Sequence, residues 1–167
     1  MNVYTDGASK GNPGFAGWGW YIPSLKKAQY GGKVSATNNQ MELLAIIKVL
    51  TYIKETLVDK PSEVVVNADS AYCVNALNTW VYGWVRSGWL NAKKQKVANK
   101  EMFEEALSLI HWFRDNKINL SFAKVAGHSG DPNNDKADEL ANKCGIRSIR
   151  CCSSNRIYLC SCQQNRT

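Results

Sequence analysis

At 167 residues, with 44% apolar content and six tryptophans, the chain has the size and composition of one globular domain with a sizeable core, which excludes a disordered tract. A net charge of +7 suits a polyanionic partner. No apolar run approaches the roughly 20 residues of a membrane span and the N-terminus lacks a basic-then-apolar signal pattern, so we expect a cytoplasmic protein with no membrane partner and, by default, a monomer.

Val3 to Asp6 reads as a short strand that gives way to a turn at Gly7, Gly11, Asn12, Pro13 and Gly14, which puts the Asp6 carboxylate at a strand end. Phe15 to Ile22 alternates in period two as a second strand, and Ala28 to Ser35 follows as a third, so the three make an antiparallel meander. Next comes T-N-N-Q-M-E-L-L-A-I-I-K-V-L-T-Y-I, Thr37 to Ile53, a helix whose Glu42 shares a face with Ala45, Ile46, Val49 and Ile53. A glutamate on that face either sits in the first turn near solvent, where the helix dipole suits it, or is buried beside something that offsets its charge.

Glu63 to Ala68 is an apolar run that reads as a buried central strand ending at Asp69-Ser70. Asp69 either caps the helical segment Ser70 to Leu77 or serves chemistry beyond the carboxyl end of the strand, where open sheets gather ligands. Trp80 to Trp89 is aromatic and short, and is a candidate helical segment. It leads into a basic loop in which Lys93, Lys94, Lys96 and Lys100 stand beside Trp80, Trp84 and Trp89. A patterned helix follows from Lys100 to Phe113, with Phe103, Ala106, Leu107, Ile110, Trp112 and Phe113 as core.

Ile118 to Val125 is the last strand, and a Gly-bracketed loop holding His128 feeds a final helix with Asp135, Asp138 and Glu139 in its first turns. Asp138 precedes Ala141 on the inner side and can point toward the sheet. From Gly145 the pattern dissolves, apart from a strand-like scrap at Arg156 to Cys160, into a segment with four arginines and no acidic residue after Glu139. Four of the six cysteines crowd there as Cys151, Cys152, Cys160 and Cys162, a spacing without the paired knuckles of a zinc ribbon, so free thiols are expected. Carboxylates thus end apolar elements at Asp6, Glu42, Asp69 and Asp138, and a metal ion would explain all four together.

Four stretches in this order, T-D-G-A-S-K-G-N-P-G from Thr5, T-N-N-Q-M-E-L from Thr37, A-D-S-A-Y from Ala68 and G-H-S-G-D-P-N-N-D-K-A-D-E-L-A from Gly127, carry a resemblance to type 1 ribonuclease H over residues 1 to about 145. The resemblance implies an α/β ribonuclease H-like fold, a five-stranded mixed sheet with three antiparallel strands, then parallel strands, and helices on both faces. It also implies a catalytic domain over 1–145 and leaves 146–167 as a basic, Cys-rich tail outside the core.

The same resemblance implies an endonuclease that cuts the RNA strand of RNA–DNA hybrids and leaves 5′-phosphate and 3′-hydroxyl ends. Asp6, Glu42, Asp69 and Asp138 would hold two Mg²⁺ ions, for which Mn²⁺ can substitute, since hard carboxylate oxygens suit both. His128 would assist proton transfer or product release, because an imidazole can exchange a proton near neutral pH. Hybrid contacts are implied at Asn12, Asn39 and Gln40 in the minor groove. Tyr72, Trp80, Trp84, Trp89, Lys93, Lys94 and Lys96 belong to a platform and basic protrusion. Asn38 is set apart as a residue occupied in starting its helix, and Ala71 departs from the glutamine the family often has after the D-S pair. The rival readings are a hybrid-binding module without catalysis and a fold relative such as a transposase or a Holliday-junction resolvase.

Overall fold

The computed structural model describes residues 1–128 and 130–151, with side-chain surroundings through residue 143. Strands β1 (Asn2–Gly11) and β2 (Gly14–Ile22) form a hairpin, and a 3₁₀ turn at Pro23–Leu25 leads into β3 (Lys27–Ala36). Helix α1 (Asn38–Thr56) crosses to β4 (Glu63–Ala68). Helix α2 (Ala71–Asn75), a π-helical turn (Ala76–Trp80) and α3 (Val81–Arg86) then run on as one helical stretch. Helix α4 (Lys100–Asp115), β5 (Asn119–Lys124) and α5 (Pro132–Cys151) complete the described chain.

The strands form one sheet in the order β3-β2-β1-β4-β5. Strand β2 is antiparallel to β1 and to β3, whereas β4 is parallel to β1 and to β5, as the expected mixed sheet requires. Two local differences from the sequence reading stand out, in β1 and in α5. Strand β1 does not stop at Asp6: its parallel pairing with β4 ends at Thr5↔Ala68, but antiparallel pairing with β2 continues to Gly11↔Gly14, so Asp6 and Gly7 are interior strand residues rather than a strand end and a turn. The aromatic stretch, a candidate helix in the sequence, is helical through Arg86. Helix α5 runs past Gly145 to Cys151. The strand-like scrap at Arg156 to Cys160 and the rest of the proposed tail from 152 lie outside the described residues, as do the thiols of Cys151, Cys152, Cys160 and Cys162.

Helix α1 is the spine of the core. Thr37 Oγ1 accepts from the Gln40 N–H at 3.2 Å while Gln40 Oε1 accepts from the Thr37 N–H at 2.9 Å, a reciprocal cap that satisfies two donors at the helix start. The cap also corrects the reading of Asn38, since Thr37 and Gln40 start the helix and leave the Asn38 side chain out of that task. Downstream, Leu43, Ile46, Ile47, Leu50 and Ile53 are each at most 1% exposed. Burial of that depth is worth about 1.5 to 3 kcal/mol for each such side chain. Tyr52 lies against the fully buried Trp20 with ring centroids 4.8 Å apart. On α4, Phe103, Ala106, Leu107, Leu109 and Phe113 are buried. Ile110 and Trp112 are only partly covered, with Lys54 and Lys60 each 5.7 Å from the Trp112 ring.

Two glycines set how closely the helices approach the sheet. A Cβ at Gly7 would stand 2.2 Å from the Glu42 backbone nitrogen and 2.4 Å from the Met41 carbonyl carbon, so α1 rests directly on β1 at that point. Gly19, the cross-strand partner of Asp6, does the same for α5: a Cβ there would lie 2.6 Å from Leu140 Cβ and 2.8 Å from the Ala141 nitrogen. Since neighbouring strand residues face opposite sides, α1 and α5 lie on opposite faces of the sheet. Gly7→Ala must push helix backbone away, a form of overpacking, and is expected to destabilise the fold by about 3 kcal/mol in chemical denaturation. A variant as stable as the parent would show that α1 can withdraw freely from β1.

Candidate active site

The register of the sheet brings the first two carboxylates together. Because β1 and β4 pair in parallel up to Thr5↔Ala68, the next residues outward are Asp6 and Asp69, side by side where the two strands part. Ser70, not Asp69, caps the following helix: its side chain accepts from the Cys73 N–H at 3.2 Å, which leaves the Asp69 carboxylate free of that duty. Glu42 comes from α1, held by the Gly7 contact. It lies beyond the first turn and is only 3% exposed, so the solvent-facing reading of this residue does not hold. One oxygen from each of Asp6, Glu42 and Asp69 falls within 4.8 Å of the others.

Asp138 approaches from the opposite face on α5. This helix starts at Pro132, with Asp131 Oδ1 accepting from the Asn133 N–H at 2.9 Å. Asp138 lies outside the close group of three but within hydrogen-bonding reach of Asp6, and its Oδ1 accepts from Asn142 Nδ2 at 3.0 Å. All four carboxylates line one open cleft of about 540 Å³, with Asn38, Ser70, His128 and Asn142 also on its walls. Among the described residues no lysine or arginine lines it.

Burial and mutual repulsion act on these acids. Burial first, then the Asp69 charge and the neighbouring Asp138, pushes the Asp6 carboxyl up to about 8. Glu42 is driven well above the ordinary carboxylate range, again by burial first and then by the charges of Asp6 and Asp69. Its Oε2 is buried without a hydrogen-bond partner. Converging oxygens, an orphaned carboxylate atom and the lack of a lining cation together fit a divalent metal ion.

His128 is exposed on the loop after β5, in a left-handed conformation at φ 52°. A Cβ at Gly127, the residue before it, would lie 2.7 Å from Asp69 Oδ2, so the loop passes close to that carboxylate. Around the cleft, Asn12 Oδ1 accepts from the Asn38 N–H at 3.2 Å and ties the hairpin turn to the start of α1. Asn39 is exposed at that start. Gln40, besides its capping role, donates from Nε2 to Asn99 Oδ1 at 3.2 Å.

The aromatic residues form a chain of contacts rather than a flat wall. Tyr72 and Trp80 are 6.1 Å apart, as are Trp80 and Trp84, and Trp84 and Trp89 are 6.5 Å apart. Trp84 lies edge-on to the buried Phe103 at 5.2 Å. Trp84 and Trp89 thus pack the base of the basic segment, while Trp80 is 42% exposed. Lys93, Lys94 and Lys96 are all exposed on a loop that bonds to itself, with Asn91 Oδ1 accepting from the Lys93 and Gln95 N–H groups at 2.9 Å each. Sequence reasoning missed Gly7, Gly19 and Asn142. The two glycines carry a signal in retrospect, since a strand tolerates an interior glycine where another backbone comes close.

The chain matches the family model described as RNase H over residues 1–145. Ribonuclease H of Francisella tularensis subsp. novicida (strain U112) is 43% identical over 143 residues, covering 84% of this chain and 88% of the relative. The ribonuclease H of Acidovorax sp. (strain JS42) is 41% identical over 149 residues, covering 88% and 95%. Among solved structures, LC11 ribonuclease H1 in complex with RNA/DNA hybrid has a TM-score of 0.62 at 25% identity, covering 89% of this chain and 98% of that one. The N-terminal ribonuclease H domain of Rv2228c from Mycobacterium tuberculosis shares the fold with a TM-score of 0.60 at 24% identity, covering 92% and 99%. The matched span takes in all four acidic positions of the cleft, and the chain therefore belongs to the ribonuclease H family.

Proposed function

We propose that this chain hydrolyses the RNA strand of RNA–DNA hybrids at the acidic cleft, leaving 5′-phosphate and 3′-hydroxyl ends. The observation that carries the reading is the meeting of Asp6, Glu42 and Asp69 oxygens within 4.8 Å at the parting of two paired strands. The substrate class follows from the family and from the hybrid held by the LC11 relative. Asp6, Glu42, Asp69 and Asp138 would hold two divalent ions, Mg²⁺ or Mn²⁺. When bound, such ions activate a water and stabilise the leaving oxygen in an in-line displacement.

The protein's own part is to supply oxygens, orient the hybrid and manage a proton. His128, exposed on the wall of the cleft, would take or give a proton or assist product release. Asn12, Asn39 and Gln40 read the groove by shape and 2′-hydroxyls, while Lys93, Lys94 and Lys96 meet phosphates beside Tyr72, Trp80, Trp84 and Trp89. We further propose a monomer acting in the cytoplasm, in keeping with the unpaired, buried Cys73. Residues 146–167 would be a basic tail that adds affinity without forming the core.

The direct test is cleavage of an end-labelled hybrid, beside duplex RNA and duplex DNA, with Mg²⁺ and with chelator. Only the RNA strand of the hybrid should be cut, only with metal. Asp69→Asn and Glu42→Gln should fall to background and His128→Ala should turn over slowly. Wild-type rates in Glu42→Gln would refute the assignment.

Replacing Lys93, Lys94 and Lys96 with alanine should raise KM more than it lowers kcat and flatten the log–log salt dependence of binding by about 2 to 3. A drop in kcat alone would give the loop a catalytic role instead.

The raised acids also predict how the metal-free protein responds to pH. With the Asp6 carboxyl at about 8 in the fold against an ordinary 3.8, the folded chain binds more protons than the unfolded chain between those values. That stability is fully present below the ordinary value and is lost as pH rises through about 8. The metal-free melting midpoint should therefore fall from pH 5.5 to 8.5, by roughly 2 to 4 °C for each kcal/mol lost, and Mg²⁺ should restore it. Asp6→Asn should flatten the profile, and a midpoint that rises across this window in the parent would contradict the buried-acid picture.

A further inference from the structure

Resting on the metal-dependent reading above, we infer that Asn142 is a positioning residue that aims the fourth carboxylate, Asp138, and thereby sets how tightly the cleft takes its metal. Asp138 stands apart from the close group of three and is carried on a helix from the opposite face of the sheet. One turn further along α5, Asn142 Nδ2 donates to Asp138 Oδ1 at 3.0 Å and to the Asp138 backbone oxygen at 3.0 Å, so the amide is anchored to the backbone of the residue whose carboxylate it holds. It also lines the cleft.

The neighbouring charges make the choice of a neutral donor consequential. Lys136 and Lys143 flank Asp138 along α5, yet both are drawn to Glu139, at 3.1 Å and 2.6 Å from its carboxylate oxygens. Neither lysine lines the cleft: two residues before and five after Asp138, both stand on another side of α5, paired with Glu139. Asn142 fixes the direction of the carboxylate and leaves its charge intact. Groups that orient a ligand in this way typically alter metal affinity or activity by about 10- to 100-fold when removed.

The test compares wild type, Asn142→Ala and Asn142→Gln as full chains, reading two quantities. One is the Mg²⁺ concentration for half-maximal hybrid cleavage; the other is the rise in melting midpoint on adding Mg²⁺ without nucleic acid. Asn142→Ala should require about tenfold more Mg²⁺, with KM for the hybrid unchanged, and should show a smaller Mg²⁺-induced rise in midpoint. Asn142→Gln, which keeps the donor, should recover part of both. Asn142 is exposed, so the metal-free midpoint should stay put. Unchanged Mg²⁺ dependence in the alanine variant would overturn the inference, as would a change confined to KM, which would make Asn142 a hybrid contact. A wild type that fails to cut hybrid at all would instead refute the function on which the inference rests.

Discussion

The constraint on which this structure depends is the cost of bringing carboxylates together out of water. Asp6 and Glu42 are 6% and 3% exposed, and burial joins the charge of Asp69 in opposing their ionisation. A chain free to relax would separate them. This one cannot, because Asp6 is paired with β2 directly beyond the last residue paired with β4, and helices come to rest where only glycine leaves room: at Gly7, next in sequence, and at Gly19, opposite Asp6. Each contact fixes a helix, and each helix delivers one acid. Close backbone packing therefore holds an electrostatically unfavourable arrangement that a cation relieves.

The outer parts follow a different rule. The lysines of the basic loop stay exposed and gain their placement from beneath, through the ring contacts from Trp89 by way of Trp84 to Phe103 in the core. A loop built this way can present charge to a phosphate backbone with little ordering left to do on binding. Cations thus sit where a long polyanion can reach them, and the described wall of the cleft has none.

How much of this is legible in the sequence depends on whether the signal is local. Strand β4 is legible because an apolar run of that length between turns suits a buried strand and little else, and α4 because its apolar period is clean. The four carboxylates are legible through motifs that bracket them. Strand β1 reads too short because Gly7 resembles a turn residue, whereas its missing side chain serves a helix that begins some thirty residues later. The roles weighed for Asn38 and Asp69 shift for a similar reason: several side chains nearby could cap a helix, and only the geometry shows that Thr37 with Gln40, and Ser70, do so.

The same logic explains why a chain with a net charge of +7 carries an acidic centre. Exposed charges separated by more than about 8 to 10 Å are largely screened at physiological salt, so the surplus of lysine and arginine attracts nucleic acid without neutralising the cleft. Inside the cleft, contact distances and low dielectric govern, and a single lysine reaching Asp138 would matter more than the whole outer surplus. Lys136 and Lys143 are paired instead with Glu139. Exposed pairs of this kind contribute little to stability, and Lys136 and Lys143 line no part of the cleft, which leaves its acids open to a metal ion.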